Sequence, residues 1–311
     1  MLLVNNRTSG EYVARSVSVS AFSDDILAVV VLYKRSFEQV PCSQRLKDWL
    51  VAPRITSARL RLAHCLIYDN SPEAQPLNLD SHDRFEVFHD ASNGGTRAAY
   101  LYALRIAQTR GYPWILILDH DTDLPHDFLL DADIAFAAAS HESRVCAIVP
   151  RVFDGLASIS PSRITSYGRV FAPQDEKIKL ENCVGLTAIA SASIVRTASL
   201  ASVLPIPASF TLDYLDHWLF REMQRRGECI AESVARVEHS LSVQSMKLMD
   251  IERYRAILAA ELVFLRGVPQ YSMTLHFIWH TGRTLKLMLS TRRPRLVGIC
   301  IRAAMKILLA K

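Results

Sequence analysis

Apolar runs and polar interruptions alternate along the first half of the chain in a pattern typical of successive strands and helices. Ile26–Leu32 is a continuous run rich in β-branched residues, and Trp114–Leu118 is a second unbroken apolar run. Strands covered on both faces have such runs, whereas strands with one solvated face alternate between apolar and polar residues. Shorter runs predict further strands at Leu66–Tyr68, Phe85–Phe88, Val145–Val149 and Cys229–Val237.

Amphipathic segments between these runs predict helices. In Thr96–Arg110 the apolar Ala98, Tyr102 and Ile106 recur every four residues, and Gly111 follows where helices commonly end. Strands that alternate with helices predict an α/β fold with an open sheet, whose ligand binds at the carboxyl ends of the strands. Other helices are predicted at Gln44–Val51, at about His126–Ala139, at Asp213–Arg226 and in two or three segments after Met249.

Charge is unevenly distributed along the chain. The 311 residues carry a net charge of +5, but the segment from Leu262 to Lys311 has nine Lys or Arg residues and no acidic residue. This segment therefore carries +9 and the remainder −4, which points to an anionic partner such as a membrane surface or nucleic acid. We predict a loose N-terminal segment over 1–25, a catalytic domain over 26–245 and a basic, amphipathic helical tail over 246–311.

Cysteine usage and the N-terminus predict where the protein resides. The six cysteines are scattered without a C-x-x-C pair, mostly in apolar stretches, so we expect buried thiols in a reducing compartment. The first 25 residues lack the apolar core of a signal peptide. The longest charge-free apolar run near the start, Ile26–Tyr33, has eight residues and is too short to span a bilayer. We therefore expect a cytoplasmic protein.

The acidic cluster Asp119-His120-Asp121-Thr122-Asp123 directly follows the predicted strand Trp114–Leu118. A departing diphosphate needs its charge neutralised, and a hard divalent cation that bridges phosphate oxygens is usually bound by one or two carboxylates. The alternative is an acidic loop that caps the next helix. Loops at strand ends commonly contain binding sites, so we favour a metal site at Asp121.

Three other polar positions are candidates with simpler alternatives. Asp69, after Leu66–Tyr68, suits a hydrogen bond to a base or ribose, or an Asx turn. The sequence Asn93-Gly94-Gly95 opens a helix, where backbone N–H groups can approach an anion or simply form a turn. Asp216 can act as a general base if it faces the same cleft, or it is an acidic residue favoured at a helix start. His239 follows the strand Cys229–Val237, where a lone histidine is more often structural than a ligand.

The chain has no G-x-G-x-x-G sequence and no Walker loop, which argues against dinucleotide or ATP chemistry. Two other functions remain open. A magnesium-dependent nucleotidyltransferase also uses strand-end carboxylates, but such enzymes usually have a glycine-rich loop after the first strand, where this chain has Tyr33-Lys34-Arg35-Ser36. A non-catalytic nucleotide-binding or nucleic-acid-binding protein would use the basic tail, although we consider a nucleic-acid partner unlikely.

The order of these motifs resembles that of the inverting family 2 glycosyltransferases of the A-type fold, especially bacterial rhamnosyltransferase-like members. The resemblance covers residues from Ile26 to about Ser240. It implies a Rossmann-like, nucleotide-sugar-binding open mixed sheet flanked by helices. The matching segments are ILAVVVLYKR, LIYDNS, ASNGGTRAAYLYAL, WILILDHDT, FTLDYLDHWLFREMQRRG and VEHS.

The resemblance also implies a reaction and its participants. A sugar moves with inversion from a nucleoside diphosphate carrier, dTDP-rhamnose or a UDP-sugar, to a hydroxyl of a glycan or lipid-linked acceptor. Such a protein serves cell-surface polysaccharide or glycolipid synthesis. For the basic tail, its charge leaves two alternatives: it docks on anionic lipid at the inner face of the plasma membrane, or it packs its Leu and Ile faces on the catalytic domain. Relatives often have Asn where Lys34 follows Tyr33, and acidic neighbours where Leu215 and His217 flank Asp216. These departures concern the donor base and the acceptor more than the reaction type.

The resemblance assigns roles to individual positions. Asp69 contacts the nucleoside, and Asp119 contacts the ribose or the donor sugar. Asp121 binds Mg²⁺ or Mn²⁺, with His239 as a further metal or phosphate ligand. Asp216 is the catalytic base, with Asp213 as the fallback. Neighbouring candidates for binding the nucleotide sugar are Tyr33, Asn70, Asn93 and Gly94.

Overall fold

The computed structural model of the protein describes residues 24–51, 59–77, 83–139, 142–172, 185–238, 251–268, 271–290 and 294–309. Of the N-terminal segment predicted to be loose, only Asp24 and Asp25 lie in this part of the chain, and Asp25 already begins the first strand. The candidate ligand His239 lies outside the described residues.

Strands and helices alternate through the first half of the chain, and helices dominate its end. The strands are β1 (Asp25–Leu32), β2 (Arg61–Asp69), β3 (Phe85–His89), β4 (Trp114–Asp119), β5 (Val145–Asp154), β6 (Ala157–Ser160), β7 (Ser162–Ile164), β8 (Val170–Phe171), β9 (Leu186–Thr187), β10 (Ile194–Arg196) and β11 (Cys229–Glu238). After a short 3₁₀ turn at Phe37–Gln39, the helices are α1 (Ser43–Val51), α2 (Gly95–Arg110), α3 (Phe128–Ala139), α4 (Thr197–Ser202), α5 (Leu215–Arg225), α6 (Ile251–Arg266), α7 (Met273–Ser290) and α8 (Pro294–Leu308).

The central sheet is mixed and open. Its strand order is β3-β2-β1-β4-β10-β5-β11, and β6 pairs with β5. Neighbouring strands are parallel except for β10, which is antiparallel to both β4 and β5, and β6, which is antiparallel to β5. A small antiparallel sheet contains β8, β7 and β9. The predicted open α/β sheet flanked by helices is confirmed.

The unbroken apolar sequence of β1 reflects burial on both faces of the sheet. Val29 and Val31 belong to the apolar cluster that also contains residues of α2, α5 and α6. Ala28 and Val30, which point to the opposite face, belong to the cluster that contains residues of α1 and α3. Because successive side chains of a strand alternate between faces, both sets must be apolar when helices cover both sides.

The structure corrects the predicted start of the helix at Asp213–Arg226. Tyr214 has φ 64°, in the left-handed region, and the helix α5 begins only at Leu215. Asp213 therefore precedes the helix, whereas Asp216 lies in its first turn. The helix predicted from about His126 likewise begins later, at Phe128. The predicted end of α2 is confirmed, since Gly111 has φ 76° and its N–H donates to the carbonyl of Ala107.

The helices predicted after Met249 are present as α6, α7 and α8. Phe264 and Leu265 of α6 are fully buried in the same apolar cluster as Trp218 of α5. Arg221 of α5 donates a hydrogen bond to the carbonyl of Phe264 and lies over its ring, 4.4 Å from the centroid. The helix α6 is therefore part of the main core. In the described part of the chain, no helix is both long and apolar enough to cross a membrane.

Candidate active site

Two candidate aspartates lie at the same edge of the sheet, on either side of β1. Leu32 pairs with Asp69 at the end of β2, and Val31 pairs with Asp119 at the end of β4. Neighbouring strands are about 4.8 Å apart, so the two aspartate backbones are separated by roughly two strand spacings. The strand order reverses between β1 and β4, which is where open α/β sheets bind ligands.

The carboxylate of Asp69 is 2% exposed and closes a turn. It accepts hydrogen bonds from the N–H groups of Ser71 at 2.9 Å and of Gln75 at 2.8 Å. The Asx turn that the sequence left as an alternative is therefore present. The next side chain, Asn70, is also buried, and its Oδ1 has no hydrogen-bond partner among the described residues. A buried polar atom without a partner at a cleft is a candidate for contact with a ligand.

Tyr33 follows β1 at this edge, with its side chain 40% exposed. The backbone turns at Lys34, which has φ 53°, and the Lys34 N–H donates to Ser71 Oγ at 2.7 Å. The Lys34 ammonium lies 5.1 Å from the centre of the Tyr33 ring. An exposed aromatic ring beside a positive charge is suited to stacking against a base and contacting an anion.

Asp90 organises the turn that contains Asn93 and Gly94, a role that the sequence analysis missed. Its carboxylate accepts hydrogen bonds from the N–H groups of Ser92 at 3.0 Å and of Gly94 at 3.1 Å, and from the hydroxyl of Tyr68 at 2.8 Å. The hydroxyl of Ser92, with these other donors, lowers the pKa of Asp90 below its usual value. Asn93 is exposed, with φ 52°.

The start of α2 is hydrogen-bonded to the loop that precedes α5. The Thr211 carbonyl accepts hydrogen bonds from the Thr96 hydroxyl at 3.1 Å and from the Arg97 N–H at 3.2 Å. Gly95 has φ +74°, and a Cβ built on it would lie 2.6 Å from that carbonyl oxygen. At this helix start the sequence left open either an approach to an anion or a simple turn, and the Arg97 N–H is bound by a backbone carbonyl. The contact instead fixes the loop that carries Asp213.

The acidic loop after β4 is fixed at three points. The Asp119 N–H donates to Ser191 Oγ at 3.1 Å, and the hydroxyl of Thr122 hydrogen-bonds the same oxygen. Further along, Asp123 forms an antiparallel β-bridge with Glu238 at the end of β11. Asp121 lies between these fixed points and is half-buried. Ser191 was not a sequence candidate, because a serine between small apolar residues has no distinguishing pattern.

A cavity of about 590 Å³ contains carboxylates from distant parts of the chain. Asp119 from the end of β4 lines it together with Asp213 and Asp216 from the start of α5. Its volume lies in the range usual for small-molecule sites, about 300–1,000 Å³. Other side chains that line it include Thr96, Tyr100, Ser191, His217, Arg253 and Arg283.

Two pKa shifts reflect the charged side chains that line this cavity. Burial raises the pKa of Tyr100 well above its usual value, and the charges of Asp119 and Asp216 raise it further. Both carboxylates therefore act on one buried hydroxyl. Burial also raises the pKa of Asp213, while Arg253, 3.8 Å away, lowers it and Asp216 raises it. Asp213 is thus a partly desolvated carboxyl with a basic partner.

Asp216 is oriented by the first turn of α5. Its Oδ1 accepts the N–H of His217 at 2.8 Å, and the His217 Nδ1 is hydrogen-bonded to the hydroxyl of Thr187 at 2.8 Å. Tyr214, between the two candidate bases, adopts the left-handed backbone that costs a non-glycine residue about 1–2 kcal/mol. The strained turn separates Asp213, outside the helix, from Asp216, inside it.

The acidic loop has the donor chemistry of a hard divalent cation. Its carboxylate oxygens suit Mg²⁺ or Mn²⁺, and a protein commonly supplies only one or two carboxylates when phosphate oxygens complete the shell. Within the described ranges, the loop does not form a preassembled group of three ligands. The described residues that do form one are Glu261, His276 and His280, which the sequence analysis did not single out.

Comparison with known proteins gives distant structural likenesses. No protein-family model and no curated protein matches the sequence. A crystal structure of GalNAc-T7 with UDP, GalNAc and Mn²⁺ is 12% identical, with a TM-score of 0.49, and the match covers 78% of this chain and 47% of that chain. A crystal structure of S. aureus TarS is 11% identical, with a TM-score of 0.44, over 85% of this chain and 43% of that chain. The chain spans less than half the length of either protein, and likenesses this distant assign it no family.

Proposed function

We propose that the chain is a glycosyltransferase that moves one sugar from a nucleoside diphosphate to an acceptor hydroxyl. The observation that carries this proposal is the single cavity lined by Asp119, Asp213 and Asp216. Asp119 brings the end of β4 to this cavity, two residues before the proposed metal ligand Asp121, which does not itself line it. Asp213 and Asp216 bring the loop before α5 and the first turn of that helix. Sugar transfer needs groups of two kinds, because negative charge on the leaving diphosphate must be stabilised and the attacking hydroxyl must lose a proton to a base.

Asp216 is proposed as the general base. The acceptor oxygen attacks the anomeric carbon, the bond from that carbon to the diphosphate oxygen breaks, and the acceptor proton passes to the Asp216 carboxylate. General-base assistance of this kind contributes about 10²–10⁴-fold to the rate. In the proposed reaction the acceptor attacks from the side opposite the leaving group, which gives inversion. Asp213 is the fallback, because burial raises the pKa of its carboxyl and it lines the same cavity just before the helix.

Asp121 is proposed to bind Mg²⁺ or Mn²⁺, and Asp119 to contact the ribose or donor sugar. When bound, the cation neutralises negative charge on the departing diphosphate. His239 is kept as a further ligand because the residue before it, Glu238, pairs with Asp123 of the acidic loop. This bridge ties the end of β11 to the segment that contains Asp121.

The nucleoside is proposed to lie at the ends of β1, β2 and β3. The exposed ring of Tyr33, the unpartnered Oδ1 of Asn70 and the exposed Asn93 surround this edge. Asp69 and Gly94 contribute through the turns that they fix. These groups are compatible with the thymine of dTDP-rhamnose and with the uracil of a UDP-sugar, so both donors belong in the first screen.

A binding experiment tests the metal and nucleotide parts of this proposal. Thermal unfolding is measured with UDP, dTDP, UDP-sugars and dTDP-rhamnose, each with and without Mn²⁺. We expect a metal-dependent rise in melting temperature with at least one nucleotide, and loss of the metal-dependent part in Asp121→Ala. Asp48→Asn, at an exposed position on α1, is the matched control and should behave as the wild type. Equal stabilisation with and without metal would contradict the role of Asp121.

Analysis of the reaction products distinguishes sugar transfer from nucleotidyl transfer. A nucleotidyltransferase would join a nucleoside triphosphate and a sugar phosphate and release pyrophosphate. A glycosyltransferase would instead release a nucleoside diphosphate, or hydrolyse the nucleotide sugar slowly when no acceptor is present. We expect only the second kind of product. Release of pyrophosphate would contradict sugar transfer and would identify the protein as a nucleotidyltransferase.

The outer surface of α7 and α8 is proposed to dock on anionic lipid, where lipid-linked acceptors lie. Exposed apolar residues recur there at helical spacing beside exposed basic residues, the pattern of interfacial helices. Each basic residue near such a surface contributes about 1 kcal/mol. The exposed apolar side chains are Ile278, Leu285, Leu289, Ile301 and Met305, and the exposed basic ones are Lys286 and Arg295.

Vesicle sedimentation tests this docking on the inner face of the membrane. We expect the protein to sediment with phosphatidylglycerol-containing vesicles and to remain in solution with pure phosphatidylcholine. The double substitution Leu285→Glu and Leu289→Glu should abolish sedimentation. Leu156→Glu is the control, since Leu156 is 95% exposed in the turn between β5 and β6. Sedimentation that is equal with neutral vesicles, or absent altogether, would contradict the proposal.

A further inference from the structure

The helices α6 and α7 enclose three ionisable side chains that the proposed reaction does not use. Glu261 is 2% exposed, and His276 and His280 are each 1% exposed. One oxygen or nitrogen atom of each residue lies within 4.8 Å of the others. The two histidines are four residues apart on α7, so they lie on the same helix face, and Glu261 of α6 meets them there. This is a compact nitrogen and oxygen donor set in an otherwise apolar helix packing.

One ring nitrogen of each histidine is fixed by a hydrogen bond, and the other is buried. The His276 Nδ1 is hydrogen-bonded to the hydroxyl of Tyr271 at 2.7 Å, and the His280 Nε2 to the carbonyl of Cys300 at 3.0 Å. Within the described part of the chain, the buried His276 Nε2 and His280 Nδ1 have no hydrogen-bond partner. Metal-binding histidines are usually oriented in this way, with one nitrogen fixed by an outer hydrogen bond.

The tautomer of His280 follows from its hydrogen bond. A carbonyl oxygen can only accept, so the His280 Nε2 must carry the proton and donate it to Cys300. In the neutral ring, the Nδ1 then has a lone pair and no proton. A buried lone pair without a hydrogen-bond donor is unfavourable, and a bound metal cation would satisfy it.

The separation of two of these atoms matches a metal site. The His276 Nε2 and the Glu261 Oε1 are 3.4 Å apart. Two ligands of a tetrahedral zinc ion, each about 2.0–2.1 Å from the metal, are about 3.4 Å from one another. This distance is long for a strong hydrogen bond, whose nitrogen and oxygen are about 2.7–3.2 Å apart.

Arg283 is the competing partner of Glu261. Its Nη1 lies 3.0 Å from Oε1 and 3.1 Å from Oε2 of that carboxylate, and its guanidinium lies over the ring of Trp279. A carboxylate has about four acceptor sites, so Glu261 can keep the arginine while its Oε1 also faces the His276 Nε2. The simpler alternative is that Arg283 alone neutralises Glu261, and the experiment below distinguishes the two.

An access route to the three side chains is also present. They line a cavity of about 550 Å³ between α6, α7 and α8, separate from the main apolar core. This cavity gives an ion a path to the site and leaves room for a fourth ligand. Its basic lining favours an anion or hydroxide in that fourth position. The basic side chains are Arg255, Arg266, Arg302 and Lys306.

We propose that Glu261, His276 and His280 form a zinc site that joins α6 to α7, distinct from the metal position at Asp121. Two imidazole nitrogens and one carboxylate oxygen are a ligand set that suits Zn²⁺ better than Mg²⁺ or Ca²⁺, which prefer oxygen ligands throughout. The site has three protein ligands and an open fourth position toward the cavity. It does not depend on the proposed transfer reaction.

Zinc binding by the full chain tests this site. The protein is stripped with a chelator, and Zn²⁺ alone is titrated by calorimetry into the wild type and into Asp121→Ala, which removes the other proposed metal ligand. We expect one zinc ion per chain in both. His276→Ala and His280→Ala should each weaken binding by at least about tenfold, the scale of effects seen for groups that support a metal site. His126→Ala, at an exposed histidine, should leave the affinity unchanged.

Cobalt substitution keeps the test decisive if the alanine variants fail to fold. The wild-type chain loaded with Co²⁺ should show the intense visible absorption of a four-coordinate nitrogen and oxygen site, and Zn²⁺ should displace it. A stripped wild-type chain that binds no zinc would overturn the proposal and leave Arg283 as the sole partner of Glu261. Zinc affinity that is equal in His276→Ala, His280→Ala and the wild type would also overturn it. Neither outcome affects the thermal-unfolding measurements with nucleotides and Mn²⁺, which test the proposed metal position at Asp121.

Discussion

The sheet edge and the C-terminal helices position their polar residues by different means. At the sheet edge, strand register fixes Asp69 and Asp119 on either side of β1, and the backbone alone determines their spacing. In the helical region, side-chain packing between α6 and α7 brings Glu261 to His276 and His280, residues that no strand pairing connects. Strand ends can be inferred from apolar runs, whereas packing between amphipathic helices cannot.

The two regions meet in one cavity. Arg253, Glu261 and Arg283, from α6 and α7, line the same cavity as Asp119 and Asp216. Glu261 also lines the cavity between the C-terminal helices, so one buried carboxylate is shared by both. The basic segment is therefore more than a surface attachment. It brings Arg253 and Arg283 to the cavity, where they pair with Asp213 and Glu261.

The largest expected effect is at the start of α5. Asp216→Asn should reduce sugar transfer by about 10²–10⁴-fold, because the amide cannot accept the acceptor proton. Binding of the nucleotide sugar, measured by calorimetry, should change little, since the proposed nucleotide contacts lie at the strand edge. Asp213→Asn is the informative companion. A larger loss there than at Asp216 would make Asp213 the base.

The next largest effect tests whether α6 belongs to the catalytic core. Phe264→Ala should reduce the free energy of unfolding by about 3–5 kcal/mol, the cost of removing a fully buried phenylalanine. Urea denaturation measures this change. The neighbouring Val263 is 45% exposed, so Val263→Ala should cost far less. Equal, small effects in both variants would mean that α6 is detachable from the sheet.

A smaller effect is expected where α2 meets the loop before α5. Gly95→Ala should destabilise the protein by about 1–3 kcal/mol, through backbone strain and the contact with the Thr211 carbonyl. Gly155→Ala is the matched control, since Gly155 has φ +60° but nothing within 4 Å of the added Cβ. Both variants introduce backbone strain, so the difference between their free energies of unfolding measures the contact of the added Cβ with the Thr211 carbonyl. No difference would mean that the loop before α5 moves freely away from α2.

The smallest effect is the pH dependence of the turn at Asp90. Folding lowers the pKa of Asp90 from its ordinary value of 3.8. The ionised carboxylate therefore stabilises the folded protein above pH 3.8, and this stabilisation is lost as the pH falls through the pKa of the folded state. Asp90→Asn should therefore be less stable than the wild type at pH 6, and the difference should shrink at pH 3. Urea denaturation at both pH values measures this. A difference that stays constant would contradict the role of the ionised carboxylate.

The sequence predicted the sheet edge well because its signals are local. Apolar runs identified β1 to β5 and β11, and the polar residues after β2 and β4 identified Asp69 and Asp119. The short strands β6 to β10 were not predicted, although β10 lies between β4 and β5 in the central sheet. The start of α5 was misplaced by two residues, because a left-handed tyrosine has no sequence signature. Ser191 and Asp90 act through hydrogen bonds to distant backbone groups, which no local pattern reveals. The spacing of His276 and His280 was a usable signal, but its partner Glu261 lies 15 residues earlier on another helix.

The central claim is that the acidic loop after β4 and the start of α5 face one bound nucleotide sugar. The most direct test is a crystal structure of the Asp216→Asn variant with Mn²⁺ and the nucleotide sugar that stabilises it most. We expect the diphosphate and the cation beside Asp121, and the side chain at position 216 across the cavity, facing the anomeric carbon. A nucleotide bound in another cavity, or a side chain at position 216 directed away from the sugar, would contradict the account.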